Sequence, residues 1–134
     1  MDSNSSKLQE KIGINFKIQA LLNEALTHRS YLNENPRWPY PHNERLEFLG
    51  DAVLELAVTE FLYAKYPKEP EGWLTSLRAA LVNYQMLAQV AKEIELNKFV
   101  LLSRGEAKDT GKAREAILAN AFEAVVGAIY LDQG

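Results

Sequence analysis

The sequence contains no cysteine, so neither a disulfide framework nor a thiolate metal site can be built from it. Histidine is nearly as scarce, with only His28 and His42. A zinc centre resting on several imidazoles is set aside, and any bound metal must be a hard cation held by oxygen. No apolar run approaches the ~20 residues of a membrane span, and the opening MDSNSSKLQEK is too polar for a signal peptide. These absences point to a soluble, cytoplasmic protein with no membrane partner. No stretch alternates convincingly between polar and apolar residues, and neither a repeat nor a linker divides the chain.

What is present is ordinary in amount. With 134 residues, 47% hydrophobic and 25% charged, the chain suffices for one domain with a sizeable core. A net charge of −3 argues against a simple nucleic-acid-coating module, which would be basic. It leaves room for a nuclease whose acidic site takes up divalent cations.

Every clear periodicity is helical. Met1 to Ser6 is expected to fray, with Ser5 or Ser6 capping a short helix to Ile12 that Gly13 closes. Ile18, Leu21, Leu22, Ala25 and Leu26 predict an amphipathic helix from Lys17 to about Thr27. Pro36, Pro39 and Pro41 make the following stretch to Asn43 a loop. His42 or Asn43 then opens a helix running to about Tyr66, before Pro67. Its Leu46, Leu49, Val53, Leu56, Ala57 and Phe61 are apolar enough to place it at the centre of the domain. Further helices are expected over 73–82 and 84–94, with the join at Asn83 undecided, and the 103–112 stretch reads as a polar loop. The last helix, Arg114 to Asp132, is the most regular.

Two of these helices carry unusual polar residues. In HNERLEFLGD, Glu44, Glu47 and Asp51 fall within roughly 60° of one another at about 100° per residue. Like charges so placed destabilise a helix unless a cation or a partner offsets them. The last helix sets Asn120 and Glu123 one turn apart among the small residues Ala116, Ala124 and Gly127. If these two faces meet, Glu47, Asp51, Asn120 and Glu123 converge into a set of oxygen donors suited to Mg²⁺ or Mn²⁺. A metal so held activates a bound water and offsets charge on a phosphoryl group. Glu44 lies roughly 10 Å along the axis from Asp51, which makes it an outer acid of the cleft. The bland alternative for each carboxylate is a solvated helix face. Gly50 costs about 1 kcal/mol relative to alanine inside a helix. Its explanation is either close approach of a neighbouring helix or clearance for a ligand beside Asp51.

HNERLEFLGD resembles the signature of the ribonuclease III family. LTHRSY at 26–31, Glu71-Gly72, LRAALV at 77–82, Gly105-Glu106 and ILANAFEAVVGAIYLD at 117–132 match that family in order and spacing. The resemblance covers nearly the whole chain. It implies an all-α endonuclease domain that forms a homodimer and cleaves double-stranded RNA in RNA processing, ribosomal RNA included. Each half would cut one strand with Mg²⁺ and water, leaving 5′-phosphate and 3′-hydroxyl ends. It further implies Glu47, Asp51, Asn120 and Glu123 as metal ligands, Asp51 and Glu123 as catalytic, and Glu44 and Glu71 as additional acids of the cleft. Phe48 has two readings, core packing or, from the resemblance, a knob inserted into the second subunit.

The chain departs from the family twice. Asn120 stands where aspartate is usual. Its carbonyl still suits a hard cation, but the lost charge implies weaker metal binding, a need for more Mg²⁺ or a preference for Mn²⁺. A catalytically impaired RNA-binding dimer is therefore the alternative reading, and a helical assembly domain a weaker third. The family's separate double-stranded-RNA-binding domain also has no counterpart before Gly134, which reads as a truncation. Among the remaining residues, Lys108, Lys112 and Arg114 are either a solvated loop or a phosphate contact. His28 reads as a hydrogen-bonded histidine between helices rather than a general base. His42 ends the proline loop, and Trp38 and Tyr40 read as loop packing.

Overall fold

The computed structural model describes residues 3–134. Most of them are helical, and among the described residues the only β pairing is an isolated parallel bridge between Thr27 and Leu101. Helix α1 (Ser3–Ile12) ends at Gly13, whose φ of +73° is a conformation that side chains strain to adopt. Ser5 lies inside this helix and is buried, so neither Ser5 nor Ser6 is the cap that the sequence suggested. Met1 and Asp2, part of the stretch expected to fray, lie outside the described residues.

Helix α2 (Gln19–Ala25) is preceded by two N–H groups, of Lys17 and Ile18, that donate to the Asp132 carboxylate at 3.0 and 2.8 Å. The proline-bearing stretch hides a helix that periodicity did not announce, α3 (Arg29–Glu34). His28 caps it, its Nδ1 accepting from the Ser30 N–H at 3.1 Å. Burial holds the imidazole below its ordinary pKa, more than Glu106 and Glu44 raise it. The rest of the loop folds onto Thr27. The Trp38 indole N–H donates to Thr27 Oγ1 at 3.0 Å, with Tyr31 and Tyr40 edge-on to its ring.

Helix α4 (Glu44–Lys65) starts at a buried anchor rather than a side-chain cap. The Asn43 N–H donates to the Thr27 carbonyl at 2.9 Å, and its Nδ2 to the Ala25 carbonyl at 3.0 Å. This pins the acidic turn to the end of α2. Only Leu46, Gly50 and Leu62 of α4 are buried, whereas Leu56 is 70% and Phe61 59% exposed. The expectation that α4 occupies the centre is thus corrected. Its apolar residues spread around the helix, and several of them, Phe48 and Leu56 among them, stay exposed.

The centre is α8 (Lys112–Gln133), flanked by α2, α4 and α6. Its Ala119, Ala121, Ala124 and Ala128 are fully buried. Side chains this small let neighbouring helices come close. Helices α5 (Glu71–Leu81) and α6 (Tyr84–Glu93) are separate. Asn83 decides this: its Oδ1 accepts from Met86 N–H at 3.0 Å, and its Nδ2 donates to the Ala79 and Ala80 carbonyls. One side chain closes the end of one helix and the start of the next. After a 3₁₀ turn at Leu96–Lys98, α7 (Arg104–Lys108), capped by Ser103, occupies what the sequence presents as a polar loop.

Where α4 crosses α8 there is almost no space. A Cβ added to Gly50 would stand 1.6 Å from the Glu123 carbonyl oxygen, and one added to Gly127 would stand 2.5 Å from that of Leu46. Of the two explanations for Gly50, close helix approach is the one observed.

Candidate active site

That crossing brings the two polar faces together. Glu47, Asp51, Asn120 and Glu123 line one open cavity of about 440 Å³. Its opposite wall comes from the α5–α6 junction: Val82, Asn83, Tyr84 and Leu87. The sequence reading missed this wall. A capping asparagine before a periodic run was a usable signal for Asn83, whereas nothing marked Tyr84.

The site is crowded with negative charge. Glu123 is buried and its carboxyl is pushed up to about 8, first by burial, then by a hydrogen bond with Asp51 and the charges of Asp51 and Glu47. A carboxyl raised this far favours its protonated form beside Asp51. Glu47, half-buried, is also raised, by burial first and then by Glu44 and Asp51. Asp51 is exposed at the mouth, and Asn120 is half-buried beside it.

The donor set fits a hard divalent cation, since it offers three carboxylates and an amide carbonyl with no nitrogen or sulfur ligand. Among the described residues no three acidic or histidine side chains yet stand close enough to grip one ion.

The other expected residues fall elsewhere. Glu44 is exposed, pairs with Arg29 at 3.2 Å, and lines a second cavity of about 670 Å³. Of the three carboxylates in the stripe, Glu44 has an ion-pair partner in Arg29, while its charge still acts on Glu47. Phe48 borders both cavities and is 83% exposed, so it is no core residue of this chain. Glu71 lines a separate groove between α4 and α5, away from the four oxygen donors. Lys108 and Lys112 are exposed, but Arg114 is committed: its guanidinium donates to the Glu106 and Ala107 carbonyls at 3.2 and 2.8 Å. It closes the end of α7 and is not a free phosphate contact.

A helical domain with an acidic, oxygen-lined cleft between its two longest helices is the class of protein that emerges. Residues 19–134 match the family model described as Ribonuclease-III-like, and the chain belongs to the ribonuclease III family. It is 54% identical to Ribonuclease 3 of Bacillus licheniformis, covering 96% of this chain and 51% of that protein. For Ribonuclease 3 of Bacillus velezensis the identity is 52%, over the same shares. The chain thus spans about half the length of these curated relatives. Among solved structures, the nuclease domain of ribonuclease III from Campylobacter jejuni superposes with a TM-score of 0.85 at 46% identity, covering 96% of this chain and 85% of that one. That structure is described as flexible in a region involved in dimer formation. Dicer from Pichia stipitis gives a TM-score of 0.65 at 33% identity, covering 90% of this chain and 49% of that one. The fold is all-α, as the sequence led us to expect.

Proposed function

We propose that this chain is the endonuclease domain of a ribonuclease III and hydrolyses double-stranded RNA as a homodimer. The observation that carries this is the convergence of Glu47, Asp51, Asn120 and Glu123 in one open cavity of a family member. Asp51, Glu123, Glu47 and the Asn120 carbonyl would hold a divalent cation, Mg²⁺ or Mn²⁺, which would supply an activated water and charge stabilisation at the scissile phosphate. Lys108 and Lys112 contact the RNA backbone beside the cleft. The products carry 5′-phosphate and 3′-hydroxyl ends.

The homodimer is supported by the bare side of α4. Leu56 and Tyr63, two turns apart on one face, are 70% and 74% exposed, and Phe48 on the same helix is 83% exposed. Phe48 projects beside the 670 Å³ cavity, so a two-fold related copy gives the ring a cavity to enter and receives one in return.

The test is incubation with long duplex RNA in Mg²⁺, Mn²⁺ or Ca²⁺. Hydrolysis is expected in Mg²⁺ and Mn²⁺, falling by about a hundredfold or more in Glu123→Gln while RNA binding persists. Asn120→Asp, which restores a fourth charge, is expected to lower the Mg²⁺ concentration needed for half-maximal rate. Binding without cleavage in any metal, in Asn120→Asp as well, would reject the enzyme in favour of an impaired RNA-binding dimer.

A further inference from the structure

The two glycines at the α4–α8 crossing are each next to one half of the site and packed against the other. Gly50 precedes Asp51 in sequence. An added Cβ there would lie 1.6 Å from the Glu123 carbonyl oxygen, 2.6 Å from its carbon and 2.9 Å from the Gly127 nitrogen. Gly127 stands one turn beyond Glu123. Its added Cβ would lie 2.5 Å from the carbonyl oxygen of Leu46, the neighbour of Glu47, and 3.0 Å from the Gly50 nitrogen. Every one of these atoms is backbone, so no rotamer change relieves the overlap. A methyl at either position must move one helix away from the other. Helix propensity alone favours alanine at both places, and the glycines oppose it.

We propose that Gly50 and Gly127 form a spacer that fixes the distance between the two halves of the metal site, and are therefore positioning residues for the cation. The inference rests on the reading above that these carboxylates hold a divalent ion. Its physical basis is the mismatch between what the crossing loses and what the ion tolerates. Bonds to Mg²⁺ are about 2.0–2.1 Å with a near-octahedral demand. The overlap a methyl creates at Gly50 exceeds an ångström against ordinary contact distances, and it acts on the backbone of Glu123 itself. Glu123 is buried and has little room to swing back. Elsewhere around α8, alanine and leucine side chains separate the helices. At this crossing backbone meets backbone.

Mn²⁺ alone is the probe, its free fraction read by paramagnetic resonance in solutions of the 134-residue chain. Gly127→Ala and Gly50→Ala are compared with Leu8→Ala, a cavity-forming change in α1 remote from the site. Mn²⁺ affinity is expected to fall at least about tenfold in both glycine variants. Leu8→Ala is expected to lower the melting temperature yet keep Mn²⁺ affinity within about twofold. A folded Gly127→Ala with unchanged affinity overturns the inference, as does an equal loss in Leu8→Ala. If a glycine variant is unfolded in buffer, all four proteins are compared in trimethylamine oxide, which favours burial. Failure to fold there too assigns the glycines to the fold alone and overturns their positioning role. If the unsubstituted chain binds no Mn²⁺, the metal reading falls and the inference with it. Loss confined to the comparison of variants leaves the metal reading intact.

Discussion

At the scale of single residues, Glu123 carries the largest upward shift of any carboxyl in the cavity. Its carboxyl titrates near 8 in the metal-free protein against an ordinary value of 4.5. The native state therefore holds a proton that the unfolded chain releases, and folding stability from this group is fully present below about pH 4.5. It is lost as pH rises through about 8. The melting temperature of the metal-free chain is expected to decline between pH 5 and 9 more steeply than that of Glu123→Gln, which cannot ionise. Parallel curves for the two proteins would show that Glu123 is ionised at neutral pH after all. The four oxygen donors were legible in the sequence because helical spacing puts each pair on one face. The pairing of Glu44 with Arg29 was not, since that partner lies across a proline loop. Nor was the engagement of Arg114 with the end of α7, because a five-residue helix leaves no periodicity to mark its end.

At the scale of elements, the long helices were readable and the short ones were not. Periodicity needs several turns to declare itself, which α4 and α8 have and the six-residue α3 and five-residue α7 lack. These two are held by caps and cross-chain contacts, such as the Ser103 N–H donating to Ser30 Oγ at 2.9 Å. The placement of α4 was not legible for a different reason: hydrophobicity along a helix does not say which of its faces the rest of the chain covers. The α5–α6 junction offers the element-level prediction. Asn83→Ala removes the cap of α6 and the donor to the last carbonyls of α5 together. A loss of about 1 kcal/mol is expected, read as a lower midpoint in urea with unchanged slope. Because Asn83 lines the carboxylate cavity, KM for duplex RNA is expected to rise in the same variant. An unaltered midpoint would mean that the helices do not depend on this side chain.

At the scale of the whole molecule, the exposed Phe48 of α4 offers the test of the proposed dimer. Phe48→Ala is expected to weaken self-association by on the order of 2 kcal/mol, about thirtyfold, in sedimentation equilibrium. An unchanged dissociation constant would remove Phe48 from the interface. The same architecture sets an order of events during synthesis. Half of the oxygen donors lie on α4 and half on α8, and the Asp132 carboxylate closes the long loop back to Lys17 and Ile18. Contacts of such sequence separation form late, after the entropy of closing the chain has been met. A chain still emerging from the ribosome without α8 carries Glu47 and Asp51 but neither Asn120 nor Glu123. The acidic cavity is completed only when α8 packs against α4.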